Sequence, residues 1–154
     1  MDKIYTTFNI SDIDVIAPLY LNYFNKVENA KWELETVKRK FKQLLFREDL
    51  LAFKLENDLE IIGFYIGQLV QFDDGLVFEL LELLIFRKYQ NKGYGSKLLL
   101  RAIADAKEAG AFMIQLTSAV DEEHYHFYNI KHGFSDASNN IWKMKIIWYY
   151  FLNK

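Results

Sequence analysis

The spacing of apolar residues changes several times along the chain, and each change marks an element. Lys3 to Phe8 is a short alternating run that predicts a first strand. Ser11, with Asp14 three residues on, opens a capping pattern for a helix carrying Ile13, Ile16, Ala17, Tyr20 and Phe24 on one face. Pro18 lies inside that helix and removes a hydrogen bond, so a kink or a split is expected there. A second helix is predicted from Trp32 to Arg47, with Val37, Phe41, Leu44 and Leu45 at helical spacing and lysines opposite.

Strand-like runs follow at Leu50–Leu55, Ile61–Val70 and Leu76–Phe86, separated by turn formers at Glu56-Asn57-Asp58 and Asp73-Asp74-Gly75. Beyond Gly93 and Gly95 a third helix is predicted to about Ala109, with Gly110 as its stop. Leu98, Leu99, Ala102, Ile103 and Ala106 form its buried stripe, and Lys97, Arg101 and Asp105 are expected to face water. Phe112 to Ala119 reads as a buried strand, and Asp121, Glu122 and Glu123 suit the positive start of a fourth helix ending at His132-Gly133. Ile141 to Tyr150 closes the chain as a strand, with a short partner near Phe134. The order β-α-α-β-β-β-α-β-α-β-β, about seven strands and four helices, predicts one mixed α/β domain over residues 1–154.

Composition narrows the functions open to such a domain. Acidic residues number 21 and basic ones 19, spread along the chain with no basic stripe, so a nucleic-acid surface lacks electrostatic support. The absence of cysteine excludes a disulfide scaffold and a thiolate metal site, and fits a reducing cytoplasm. No signal-peptide pattern opens the chain, and its longest apolar runs are too short to span a bilayer, so a soluble cytoplasmic protein without membrane partners is expected.

The most informative chemistry lies where the strand ending at Phe86 meets the third helix, through Gln90-Asn91-Lys92-Gly93-Tyr94-Gly95-Ser96. A helix start has N–H groups without partners and a dipole that favours an anion. Glycines let a phosphate approach the main chain, and Lys92 adds charge. The plain alternative is a strand-to-helix turn with two glycines placed for conformation. The dinucleotide fingerprint is excluded because Leu98 replaces its third glycine, and no Gly-Lys-Ser/Thr is present.

Gln90-x-x-Gly93-x-Gly95 resembles the acetyl-coenzyme A signature of the GNAT superfamily of N-acetyltransferases. Phe127-Tyr128-Asn129-Ile130-Lys131-His132-Gly133-Phe134 resembles the same family's Phe-Tyr-x-x-x-Gly-Phe, with four residues instead of three between tyrosine and glycine, and Tyr128 lies 33 residues after Gly95. The resemblance is good over Val77 to Phe134, and agrees only in element order before that. It implies acetyl-CoA as co-substrate, in a splay between strands 4 and 5, and an amine acceptor, either a small molecule or a peptide. Gln90 to Ser96 would bind the diphosphate, and main chain near Leu84 and Ile85 would hold the pantetheine arm and the thioester oxygen.

For catalysis the resemblance implies a glutamate base on the fourth strand, acting directly or through water, and Tyr128 as the acid for the coenzyme's sulfur. Glu79, eleven residues before Gln90, holds the place of that glutamate, and Glu82 is its rival. Three apart, the two carboxylates face opposite ways in a regular strand, but family members carry a bulge here, so parity does not choose between them. Either carboxylate also suits a structural hydrogen bond, and Tyr128 also suits a half-buried core position. Asp121 departs from the family, which often has asparagine seven residues before the tyrosine. Its charge makes an equivalent contact with the phosphate-rich coenzyme doubtful.

His124, His126 and His132 are expected at the surface with no metal, since His-x-His on a helix sets two rings about 200° apart. The closing Ile146-Ile147-Trp148-Tyr149-Tyr150-Phe151 fits a strand in the sheet or the edge of a homodimer better than it fits a membrane or partner patch. The leading expectation is therefore an N-acetyltransferase. The alternative is a non-catalytic module of the same fold that binds acetyl-CoA as a ligand or signal.

Overall fold

The structure is a computed structural model that describes residues 4–58, 60–119, 121–136 and 141–145. Its elements are β1 (Ile4–Thr7), α1 (Ile13–Val27), α2 (Leu34–Leu45), β2 (Leu50–Glu56), β3 (Ile61–Phe72) and β4 (Gly75–Ile85), then α3 (Tyr94–Glu108), β5 (Ala111–Thr117), α4 (Glu122–Tyr125), β6 (Ser135–Asp136) and β7 (Ile141–Lys145). One sheet has the order β1-β2-β3-β4-β5-β7-β6. Only β4 and β5 run parallel, joined by α3; every other neighbouring pair is antiparallel. The mixed α/β class and the element order follow the pattern of the sequence. Residues 146–150, read as the rest of the last strand, lie outside the described residues, as does the whole apolar run 146–151.

The two faces of the sheet carry separate cores. Helix α3 lays Leu98, Leu99, Ala102, Ile103 and Ala106, all fully buried, on one face with Phe78, Leu80, Ile114 and Leu116. Helices α1 and α2 cover the other face, where Ile16, Ala17, Tyr20, Val37 and Phe41 meet Phe64, Ile66 and Leu84. Among the described residues no helix is long and apolar enough to cross a membrane.

Several details depart from the expected ones. The first cap is Asn9, whose side chain accepts from the Ser11 N–H at 3.1 Å while Asp12 reaches back to the Asn9 N–H at 2.9 Å. A short 3₁₀ turn, Ile10–Asp12, therefore precedes α1. Pro18 does not split α1, which runs unbroken. Both Pro18 and Asp14, whose carbonyl loses its partner, are exposed, so water can satisfy that oxygen. Asp105 does not face water either: it accepts the hydroxyl hydrogen of the buried Tyr65 and pairs with Arg101 at 2.9 Å.

The fourth helix is the largest departure. After one turn of α4 the chain widens into a π-helical turn, His126–Lys131. Such a widening accommodates a residue that regular helical period would misplace, which is why a 3.6-residue reading does not foresee it.

Candidate active site

Strand β4 has one residue too many for its neighbour. Glu82 lies opposite Ile66 and Leu80 opposite Gly67, so Leu81 is a bulge between them. Before the bulge, Phe78 and Leu80 point into the α3-side core; after it, Leu84 and Phe86 point into the α1–α2 side. The extra residue thus puts Glu79 and Glu82 on the same face, toward α1 and α2, where unbroken alternation would part them.

Their partners differ. Glu82 is largely buried and forms an ion pair with Lys40 of α2 at 2.8 Å. Lys40 also lies over the Trp32 ring, 5.9 Å from its centroid. Glu79 Oε1 accepts from Gln115 Nε2 of β5 at 2.5 Å. Neither Lys40 nor Gln115 stood out in the sequence, because nothing local marks a side chain that matters only through a partner on another element. Tyr20, packed under this region, has its hydroxyl pKa pushed above the ordinary phenol range by burial, and further by the Glu82 carboxylate.

Beside the bulge the sheet opens. The ladder between β4 and β5 ends at Leu80 opposite Leu116, while β4 continues to Ile85 against β3. The Phe86 N–H donates to Ile62 O at 3.0 Å, so by the strand's period of two the peptide groups of Glu82 and Leu84 also face β3. Those of Leu83 and Ile85 turn toward the opening. Leu84, singled out in the sequence, therefore has its peptide in the ladder, and Leu83 takes its place on the open edge.

The open edge leads to the glycine loop. Gln90 does not point outward: its Nε2 donates to Ile85 O at 2.8 Å and to Tyr23 Oη of α1 at 3.0 Å. It fixes the end of β4. Asn91 and Gly93 take positive φ angles of 59° and 84°, and the chain then enters α3. Gly93 is the N-cap and no side chain caps this end. A Cβ at Gly93 would meet nothing within 4 Å, so the first turn faces open space. Exposed Lys92 sits over the Tyr89 ring at 5.9 Å, and Tyr94 packs against Tyr89 with centroids 6.2 Å apart. At Gly95 a Cβ would lie 3.6 Å from the Phe127 ring. The Ser96 hydroxyl is engaged with His132 Nε2 at 3.0 Å, which leaves the residue's N–H as the group it offers a ligand.

Tyr128 stands in the π-helical turn, buried in the α3-side core between His124, Phe127 and Phe134. Burial holds its hydroxyl above the ordinary phenol range, so the group is a neutral O–H at neutral pH. Asp121 caps α4, accepting from the His124 N–H at 2.8 Å, and that contact foremost holds its carboxyl below the usual range. Its charge is thus spent on the helix start. His132, expected at the surface, is buried: it follows the wide turn and lies against Ser96 of α3 and the Phe127 ring. Among the described residues no group of three or more histidines and carboxylates is arranged to hold a metal ion.

The surfaces around the opening differ in kind. The first turn of α3 is open and carries no side-chain cap, one edge of β4 beyond Leu80 has no strand beside it among the described residues, two carboxylates lie on one side of the sheet and a buried neutral phenol on the other. Comparison with known proteins bears on this arrangement. The model of the "Acetyltransferase (GNAT) family" matches residues 14–134. No curated protein sequence matches the chain. The solved structure of PaiA N-acetyltransferase from Thermoplasma acidophilum in complex with coenzyme A is 22% identical, covers 94% of this chain and 99% of its own, and has a TM-score of 0.73. That of the ribosomal-protein-S18-alanine N-acetyltransferase from Escherichia coli is 18% identical, with 96% of each chain covered and a TM-score of 0.71. A predicted acetyltransferase with acetyl-CoA from Clostridium acetobutylicum is also 18% identical, over 90% of this chain and 93% of its own, at a TM-score of 0.69. At such identities the structures speak for the fold, and the family model, matched over well over half of the chain, speaks for descent. The protein belongs to the GNAT acetyltransferase family.

Proposed function

We propose that the protein transfers the acetyl group of acetyl-coenzyme A to a primary amine by direct attack, with Glu79 as base and Tyr128 as acid. The observation that carries this reading is the parting of β4 from β5 beyond Leu80 and Leu116, continuous with the uncapped start of α3. A pantetheine arm can pair with the bare edge at Leu83 and Ile85 while its diphosphate sits on the N–H groups after Gly93. The neighbours named as holding coenzyme A or acetyl-CoA share this fold.

When bound, the thioester supplies an electrophilic carbon and a thiolate leaving group. A primary amine has a pKa of about 10.4 and is mostly protonated at neutral pH, so a base must free its lone pair. Glu79 suits that role better than Glu82. Its carboxylate is oriented by the neutral Gln115, whereas that of Glu82 is matched by the Lys40 charge. As the C–N bond forms and the C–S bond breaks, the protons shed by nitrogen leave through Glu79, directly or by way of water. Tyr128 gives its proton to the sulfur from the opposite side of the sheet. Peptide N–H groups on the bare edge face the oxygen that gains charge.

Release of free thiol in the presence of a panel of small amines and peptide amines tests the reading. Turnover with at least one amine is expected. A protein that binds acetyl-CoA yet turns over with no amine would instead be a binding module of this fold.

A further inference from the structure

His132 is 4% exposed and touches two of the site's working parts at once. Its Nε2 is 3.0 Å from Ser96 Oγ, in the first turn of α3. Its ring meets Phe127 nearly edge to face, with centroids 4.9 Å apart, and Phe127 in turn packs against Gly95 and stands beside Tyr128. The Gly-x-Gly loop and the Phe-Tyr motif, distant in sequence, are therefore joined through one imidazole.

We propose that His132 is a positioning residue that holds the coenzyme loop and the turn bearing Tyr128 at a fixed distance. The proposal rests on the acetyl-transfer reading above. The arm between a diphosphate and a thioester sulfur has a set length, so the start of α3 and the acid must be spaced to match it. Misplacement by about 1 Å can cost about 10²-fold in rate. Engaging the Ser96 hydroxyl also stops it from folding back onto the N–H groups that a diphosphate would use.

The test uses Ser96→Ala, His132→Leu and His132→Gln in the full chain, with acetyl-CoA affinity measured by calorimetry and turnover by thiol release. Ser96→Ala and His132→Leu are each expected to weaken acetyl-CoA binding about three- to tenfold, the scale of one lost hydrogen bond. Both should lower kcat and leave KM for the amine unchanged. The double variant should be no worse than the poorer single one, because both remove the same contact. Glutamine places its amide nitrogen near the position of the imidazole Nε2, so His132→Gln should recover most of the affinity.

A residue that merely fills the core would lower Tm while folded protein kept its affinity and kcat. Folded Ser96→Ala and His132→Leu within twofold of the parent, purely additive effects, or no recovery in His132→Gln would each overturn the proposal. Should His132→Leu not fold, Ser96→Ala and His132→Gln decide alone. A parent that binds no coenzyme A thioester removes the acetyl-transfer reading and this proposal with it, whereas a parent that binds and turns over beside unaffected variants overturns this proposal only.

Discussion

Tyr20, Tyr65 and Tyr128 share one electrostatic condition: burial holds each hydroxyl above the ordinary phenol range, helped at Tyr20 by Glu82 and at Tyr65 by Asp105. The fold thus favours their neutral form. Their contribution is complete below the unfolded value of about 10 and is lost as pH rises toward the folded values. Urea midpoints should stay level from about pH 7 to 9, as far as these tyrosines govern them, and fall above about pH 10. Three tyrosines should ionise at 295 nm only as the chain unfolds; ionisation of all ten in the folded protein near the ordinary value contradicts this. For catalysis, Tyr128→Phe and Glu79→Gln should each lower kcat by about 10²- to 10⁴-fold, with acetyl-CoA affinity nearly unchanged. An equal loss in Glu82→Gln and none in Glu79→Gln would reverse the roles of the two carboxylates. Tyr128 and the glycines were legible because they sit in spaced motifs. Gln115, Lys40 and the inward turn of His132 were not, since each is defined by a contact across the fold.

At the scale of elements, the bulge at Leu81 decides which way the carboxylates face, and Gly67, beside it on β3, makes room for the Phe78 ring. Opposite Leu80, a Cβ on Gly67 would run into the Phe78 ring and stand 2.8 Å from the Glu79 carbonyl oxygen. Relief requires Phe78 to leave a core position that is fully buried. Gly67→Ala should therefore destabilise by about 1–3 kcal/mol, the usual cost of overpacking. That corresponds to a drop in Tm of roughly 2–10 °C in calorimetry. A Tm within 1 °C of the parent would mean that the strand yields where it looks rigid. The longer strands and helices α1 to α3 were legible, because their apolar periods are strong and their turns carry Gly, Asp and Asn. The bulge entered only through the family resemblance, and neither the π-helical turn nor the use of Asn9 as the first cap was legible. Each of these displaces a pattern by only one or two residues, which is finer than apolar periodicity resolves.

For the whole molecule, a coenzyme that binds the folded state alone should stabilise it by about 2.7 kcal/mol at a hundred times its Kd. Melting curves should shift upward by several degrees with acetyl-CoA and less with pantetheine, which lacks the diphosphate. Gly93→Ala separates binding from folding. The new methyl group meets nothing nearby but must hold φ at 84°, so stability should fall by about 1 kcal/mol. Affinity for acetyl-CoA should fall further than stability, because the methyl group stands where a diphosphate would approach. Equal acetyl-CoA affinity in Gly93→Ala and the parent would move the anion site elsewhere.

The unpaired margin of β4 leaves the sheet one strand short over its final residues. A pantetheine arm laid there would act as that missing strand, so the ligand would finish the sheet as well as occupy it. Amide exchange followed residue by residue would reveal this as an alternating imprint. Leu83 and Ile85 should exchange quickly in the free protein and slow sharply with coenzyme A, while Glu82 and Leu84, already bonded to β3, should stay protected in both states.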